Sequence, residues 1–143
     1  MALGKLIVTG FVLLMLAGCG APAAAAQMSA PQAAVIDTAS LSRDVDVQTA
    51  AALRAQPDVV ILDVREQSEW DSGHIPGALF IPMNDVPNRL KEIPTDKTVI
   101  VQCRSGNRSS TVTDYLRSQG MTNVHNLSGG INAWEAAGLP VEK

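Results

Sequence analysis

Two short, uninterrupted apolar runs constrain the fold more than any other feature of this sequence. Residues 59–62 read VVIL and are followed by Asp63, and residues 98–102 read TVIVQ and are followed by Cys103. Runs this short and rich in β-branched residues predict strands that are buried on both faces. Since helical patterns separate the strands, the sequence predicts an α/β domain with a mainly parallel sheet. Ligands bind beyond the carboxyl ends of such strands, so Asp63 and Cys103 are candidate site residues.

The other predicted elements complete this alternation. Short strands are predicted at residues 45–47, 78–81 and 124–127, and helices at residues 48–54, 84–93, 109–119 and 131–137. Asn84 is predicted to cap the second helix, and Pro94 to end it. Residues 103–108 are predicted to form a polar loop.

Composition excludes several classes of protein. Hydrophobic residues make up 46% of the 143 residues, which excludes a disordered tail. The net charge of -3 argues against a nucleic-acid-binding protein, which would present a basic face. No glycine-rich phosphate-binding motif occurs, and the two histidines, His74 and His125, are too far apart in sequence to suggest a metal site. We therefore expect no metal and no nucleic-acid partner.

The N-terminus is typical of an exported protein. Lys5 precedes an apolar run at residues 6–17, which is shorter than the roughly 20 residues that a membrane-spanning helix needs. The following residues 16–19, LAGC, resemble the bacterial lipobox. The resemblance implies cleavage before Cys19 and lipid attachment to Cys19, which would anchor the chain to a bilayer. Because Gly20 replaces the aspartate that favours inner-membrane retention, a Gram-negative source would imply the outer membrane, facing the periplasm.

Three regions follow from these patterns. Residues 1–18 are predicted to be a lipoprotein signal peptide. Residues 19–38, rich in Ala, Pro and Gln and without apolar periodicity, are predicted to be a flexible tether. Residues 39–143 are predicted to form one globular domain, which we expect to be monomeric.

The sequence around Cys103 favours a reactive thiolate. A buried strand delivers the cysteine to a polar segment, CRSGNRSS, that leads directly into a helix. Loop N–H groups, the N-terminus of that helix, and the side chains of Arg104 and Arg108 all favour a negative sulfur. Gly106 allows a positive φ within the loop. The alternative is an inert core cysteine, but eight polar residues argue against it.

Four motifs in order resemble a single-domain rhodanese, and the match runs from about Val45 to Gly138. They are LDVRE with Glu69-Trp70, GHIPGA at residues 73–78, CRSGNRS at residues 103–109, and GGINAW at residues 129–134. The resemblance implies a rhodanese-like fold, with a five-stranded, mainly parallel sheet flanked by helices. It implies a sulfurtransferase that moves sulfur from a donor such as thiosulfate, through a Cys103 persulfide, to a thiol or cyanide.

The same resemblance assigns roles within the site. Cys103 is the expected nucleophile, no external cofactor is required, and Asp63 and His74 are expected to support the loop. The expected substrate-binding residues are Arg65, Arg104, Ser105, Gly106, Asn107, Arg108 and Ser109. Turnover outside the cytoplasm would require a partner thiol reductase.

One departure and two alternatives stay open. Two-domain thiosulfate enzymes of this family carry a lysine where this chain has Ser105, so a preference for thiosulfate is not implied. A phosphatase or arsenate reductase on the same fold would need a Cys-x5-Arg loop, whereas Cys103 and Arg108 give Cys-x4-Arg. A non-catalytic docking module is the other alternative, and the retained Cys103 argues against it.

Overall fold

A five-stranded parallel sheet forms the centre of the part of the chain that the structure describes. The computed structural model describes residues 37–143. The strands are β1 (Asp44–Val45), β2 (Val59–Asp63), β3 (Leu79–Phe80), β4 (Thr98–Gln102) and β5 (Val124–Leu127). Their order is β1-β5-β4-β2-β3, and every neighbouring pair is parallel. The predicted fold class, an α/β domain with a five-stranded sheet, is confirmed.

Within residues 37–143, four α-helices and three short 3-10 helices accompany the strands, of which the first 3-10 helix precedes β1 and the last α-helix follows β5. The α-helices are α1 (Val47–Leu53), α2 (Gln67–Ser72), α3 (Asn107–Ser118) and α4 (Gly130–Ala136). The 3-10 helices span Thr38–Ser40, Met83–Asn88 and Leu90–Glu92. Asp46 caps α1, because its carboxylate accepts a hydrogen bond of 2.8 Å from the N–H of Thr49. Within residues 37–143, no helix is long and apolar enough to cross a membrane.

The predicted α-helix at residues 84–93 is wrong, because two 3-10 helices occupy this segment. Pro87 lies inside the first of them and has no N–H to donate. The segment instead uses tighter bonds, such as that from the N–H of Asp85 to the carbonyl of Pro82 at 2.8 Å. Asn84 is therefore not a cap, since Pro82 holds that position.

The apolar runs of the central strands supply two separate cores, one on each face of the sheet. In β4, Val99 and Val101 pack on the face covered by α3, where Val112 and Leu116 are buried. Ile100 points to the opposite face, which holds the following buried residues of α1 and α4: Ala50, Leu53, Ile131 and Trp134. Because successive side chains of a strand alternate between faces, a strand covered on both sides needs an uninterrupted apolar run.

This arrangement brings the segments that follow β2, β4 and β5 together at the carboxyl ends of the strands. β2 and β4 are neighbours, with Asp63 opposite Gln102 in the register. Cys103 follows directly, and α3 begins four residues later. The start of α4, which follows β5, lies against the same loop, because the N–H of Ile131 donates to the carbonyl of Cys103 at 2.8 Å.

Candidate active site

The thiol of Cys103 lies at the bottom of the loop between β4 and α3. Its side chain is only 1% exposed. Its Sγ accepts a hydrogen bond from the N–H of Gly106 at 3.2 Å and lies 3.4 Å from the hydroxyl of Ser109. Gly106 adopts a φ of 96°, a left-handed conformation that allows its N–H to turn back toward the sulfur.

This environment lowers the pKa of the Cys103 thiol below its ordinary value. Burial acts in the opposite direction, since it disfavours the charged form. Hydrogen bonds from the hydroxyl of Ser109 and from the backbone N–H groups of Ser109, Ser105 and Gly106 outweigh burial. The loop therefore favours the thiolate mainly through neutral donors, and not through a directly paired cation.

Arg108 is held by a carboxylate that the sequence alone did not single out for a role. Its two terminal nitrogens donate to the two oxygens of Glu69 at 2.7 and 2.8 Å. Glu69 lies on α2, so this ion pair ties α2 to the first turn of α3. The bond from Arg108 lowers the pKa of the Glu69 carboxyl. Arg108 thus lies in the loop region as predicted, but its charge is shared with Glu69.

Arg65 and Asp63 form a buried ion pair beside the loop. The Nη2 atom of Arg65 lies 2.7 Å from Asp63, and the two side chains are 4% and 0% exposed. Arg65 also donates to the carbonyls of Gly73 at 2.8 Å and Glu69 at 3.1 Å. These bonds fix the connection from β2 into α2, which in turn carries Glu69.

Arg104, Ser105 and Asn107 are exposed on the rim of the loop. Arg104 lines a cleft of about 340 Å³ together with Arg65, Ser68, Glu69, Ser72, Gly73, Ile131, Asn132 and Glu135. Within residues 37–143, Arg104 forms no ion pair with a carboxylate. Its charge is therefore available to a ligand at the loop, unlike those of Arg65 and Arg108.

His74 contacts α2 and the C-terminal segment. Its ring stacks on Trp70 with centroids 3.7 Å apart, and its Nδ1 lies 3.2 Å from the Trp70 carbonyl. Its Nε2 lies 3.4 Å from the carboxylate of Glu142. The backbones of His74 and Glu142 also pair in an isolated antiparallel bridge. These contacts hold the last residues of the chain against the start of the GHIPGA segment.

Asn126 on β5 belongs to the site, although it is not among the residues predicted from the sequence. Its side-chain oxygen accepts a hydrogen bond from the Ser109 hydroxyl at 2.7 Å, and its side-chain nitrogen donates to Asp44 at 2.7 Å. Asn126 is 5% exposed. No local pattern identifies this residue, because the contact depends on the pairing of β5 with β1 and β4. Cys19, the predicted signal peptide and all but the last two residues of the predicted tether lie outside the described residues.

Comparison with known proteins gives consistent matches. The sequence pattern of the Rhodanese-like domain family matches residues 46–137. A protein named sulfurtransferase from Allochromatium vinosum is 43% identical over 106 residues, covering 74% of this chain and 92% of that protein. Thiosulfate sulfurtransferase GlpE from Tolumonas auensis is 33% identical over 90 residues, covering 63% of this chain and 85% of that protein. A solved rhodanese-like domain from an Anabaena protein is 30% identical with a TM-score of 0.65, covering 71% of this chain and 80% of that one.

Proposed function

Because this chain belongs to the Rhodanese-like domain family, we propose that it is a sulfurtransferase in which Cys103 carries the transferred sulfur. The observation that carries the proposal is the environment of the thiol. Cys103 is buried, its pKa is lowered, and its donors converge from one short loop. A lowered pKa increases the fraction of thiolate at a given pH, and the thiolate is the nucleophilic form.

The first half-reaction loads the cysteine. The Cys103 thiolate attacks the outer sulfur of a donor such as thiosulfate, and a new S–S bond forms. The S–S bond of thiosulfate breaks, and its electron pair leaves with sulfite. The negative charge on Cys103 moves to the outer sulfur of the persulfide, so charge and atoms balance. N–H groups of the loop stabilise that charge as an oxyanion hole stabilises an oxygen.

The second half-reaction removes the outer sulfur from the Cys103 persulfide. An acceptor thiolate, or cyanide, attacks the outer sulfur of the persulfide. The bond between the two sulfur atoms breaks, and its electron pair returns to Sγ of Cys103. The products are an acceptor persulfide, or thiocyanate, and the starting thiolate. No metal or organic cofactor takes part in either step.

The charges around the loop favour an anionic donor held by Arg104. Arg65 is paired with Asp63, and Arg108 is paired with Glu69. Arg104 is exposed at the cleft, so its guanidinium can meet the anionic end of a donor while the sulfur enters the loop. Ser105, Gly106 and Ser109 supply the hydrogen-bond donors that face Cys103, and the exposed Asn107 follows Gly106 at the start of α3.

The direct test is intact-mass measurement after mixing the protein with thiosulfate. We expect one added sulfur atom on the wild-type chain and none on Cys103→Ser. Addition of cyanide should then remove the extra sulfur and release thiocyanate. A wild-type protein that never gains sulfur from thiosulfate or from organic persulfides would refute the proposal and favour the non-catalytic docking module.

We also propose that the chain is exported and anchored through a lipid on Cys19. Support comes from the LAGC sequence at residues 16–19 and from the short apolar run before it. In this location a partner thiol reductase would supply reduced acceptors, and residues 19–38 would serve as a tether. Labelled fatty acid should enter the wild-type chain and not Cys19→Ala. Equal labelling of both chains would count against the anchor.

A further inference from the structure

A continuous line of hydrogen bonds runs from the candidate nucleophile to the surface. The hydroxyl of Ser109 lies 3.4 Å from Sγ of Cys103 and 2.7 Å from the side-chain oxygen of Asn126. The side-chain nitrogen of Asn126 donates to Asp44 at 2.7 Å, and Asp44 accepts two further bonds of 2.9 Å from Arg43. Arg43 and Asp44 lie outside the matched family region, residues 46–137.

The orientation of the Asn126 amide follows from Asp44. An ionised carboxylate only accepts hydrogen bonds, so the nitrogen of Asn126 must face Asp44. The bond from Asn126 is the main cause that lowers the pKa of Asp44, which keeps the carboxyl in this accepting form. The oxygen of Asn126 is then left facing Ser109.

Ser109 therefore faces two acceptors with one proton. A serine hydroxyl donates a single hydrogen bond, and both Sγ of Cys103 and the oxygen of Asn126 lie within reach. The three residues are 1%, 0% and 5% exposed, in the order Cys103, Ser109 and Asn126. Burial limits the access of water, so the acceptor that loses the proton loses a hydrogen bond that water does not replace, although Sγ keeps the bond from the N–H of Gly106.

We propose that Asn126 is a positioning residue that competes with Cys103 for the hydroxyl proton of Ser109, and that Asp44 holds Asn126 in the competing orientation. When Cys103 is a thiol, its S–H faces the Ser109 oxygen while Ser109 donates to Asn126. When Cys103 is a thiolate, the hydroxyl turns to Sγ only by giving up Asn126. The competition leaves the thiolate less stabilised, and a less stabilised thiolate is a stronger nucleophile.

The consequence for sulfur transfer rests on the proposed function. Loading of the persulfide moves the charge from Sγ to the outer sulfur, so Sγ no longer needs the Ser109 proton. Ser109 then returns to Asn126, which favours the loaded state over the free thiolate. Asn126 acts through Ser109 and does not touch the sulfur.

The test measures the rate of iodoacetamide labelling against pH, followed on the peptide that carries Cys103, in the full chain. The midpoint is the pH at which the labelling rate reaches half of its maximum. We expect Asn126→Leu and Asp44→Ala to lower this midpoint by about one pH unit, because Ser109 is then free to donate to the thiolate. Asp44 is exposed, so its variant remains informative if the substitution at the buried Asn126 prevents folding. A midpoint that stays or rises in the folded variants overturns the proposal.

Two control variants distinguish an effect of the orientation of the Asn126 amide from an effect of the charge of Asp44. Asp44→Asn removes the charge but keeps an oxygen that accepts from Asn126, so it should keep the wild-type midpoint. Asp114→Ala removes a carboxylate that pairs with the other side of Arg43 at 2.6 Å, without touching Asn126, and should also keep it. If Asp44→Asn or Asp114→Ala lowers the midpoint as far as Asp44→Ala, charge is the cause and the proposal fails. The charged groups that all of these variants retain near the loop or near Asp44 are Arg43, Asp63, Arg65, Glu66, Glu69, Arg104, Arg108 and Arg117.

A double-mutant cycle tests whether Asn126 acts through Ser109. In a Ser109→Ala background, Asp44→Ala should no longer change the midpoint, because no hydroxyl remains to be contested. An undiminished shift in that background overturns the proposal.

With thiosulfate at a pH well above each midpoint, loading of sulfur onto Asp44→Ala should be about threefold slower than onto wild type, since the nucleophilicity of a thiolate falls with its pKa. The labelling arm needs no sulfur transfer, so a shifted midpoint in a protein that never loads sulfur would refute the proposed function alone.

Discussion

The backbone carbonyl of Cys103 accepts a hydrogen bond of 2.8 Å from the N–H of Ile131, at the start of α4. The next carbonyl, that of Arg104, accepts one of 3.1 Å from Asn132. The N-terminus of α4 therefore fixes the two peptide groups from which the loop begins. This contact explains why the motif GGINAW accompanies the cysteine motif although the 19 residues 110–128 lie between them in sequence.

Gly130 makes this approach possible, and Gly130→Ala should be strongly destabilising. An added Cβ would overlap the Cys103 carbonyl oxygen and lie 2.8 Å from the carbonyl carbon of Arg104. The φ of Gly130 is also 56°, a left-handed conformation that alanine disfavours. We therefore expect a loss of about 3 kcal/mol or more in the free energy of unfolding, measured with urea. Gly138→Ala is the matched control, because φ is 70° there and nothing lies within 4 Å of the added atom. The control should lose about 1–2 kcal/mol, and equal losses would contradict the packing explanation.

The Glu69–Arg108 pair predicts a specific pH dependence of stability. Because the bond from Arg108 lowers the folded-state pKa of Glu69, its contribution is present above the unfolded value of roughly 4.3. It is lost as the pH falls through the lower folded value. At neutral pH, Glu69→Gln should lower the free energy of unfolding by at most about 1 kcal/mol, because the two side chains are 25% and 33% exposed and solvent screens them. The difference from wild type should disappear at low pH.

The same variant should slow sulfur transfer, because Arg108 loses the group that holds it at the start of α3. Glu92→Gln is the control, since it breaks a Glu–Arg pair on exposed 3-10 segments and should leave transfer unchanged. For stability, a difference in the free energy of unfolding between wild type and Glu69→Gln that persists undiminished at low pH would show that the ion pair is not the source of that difference.

Cys103→Ser should abolish sulfur transfer and leave the fold intact. The hydroxyl is close in size to the thiol and can keep the bond from Gly106, but it forms no stable persulfide and its pKa is far too high for an anion. The thermal midpoint should stay close to wild type while thiocyanate release disappears. Transfer at the wild-type rate would remove Cys103 from its proposed role.

Loop length separates the sulfurtransferase from the phosphatase alternative. Insertion of one glycine between Ser105 and Gly106 should widen the loop to Cys-x5-Arg and lower sulfur transfer by ~10²-fold or more, since a displacement of about 1 Å can cost that much. A glycine inserted after Gly77, in a turn with nothing within 4 Å of an added Cβ, is the control and should be tolerated. Both chains and wild type are assayed with thiosulfate and with an aryl phosphate. Efficient phosphate hydrolysis by wild type, without sulfur transfer, would overturn the spacing argument.

The sequence predicted the elements whose signal is local. The runs at β2 and β4 predicted the buried strands, and the polar segment after Cys103 predicted the loop. α3 begins at Asn107 and not at residue 109, because the left-handed Gly106 ends the loop early. Helix α2 was missed because QSEWDS has no apolar periodicity over its six residues.

Contacts that join distant parts of the chain could not be predicted in this way. Glu69 and Arg108 are 39 residues apart, and Asp44 and Asn126 are 82 residues apart. Asp44 and Asn126 meet because β1 pairs with β5 and places the two residues opposite each other. Glu69 and Arg108 meet because β2 pairs with β4, and these two strands lead into α2 and α3. Charge and hydrogen-bonding capacity are visible in the sequence, but the partner that satisfies each group depends on the tertiary fold.

The sheet ends in very short strands at both sides. β1 and β3 hold only two residues each, while the three strands between them hold four or five. An edge strand with unpaired N–H and C=O groups is a template for another chain, and a two-residue edge offers few such groups. The outer strand β1 also begins with a charged residue, Asp44, that is committed to Arg43 and Asn126. Edge-to-edge aggregation through this sheet is therefore disfavoured, even at high local protein concentration.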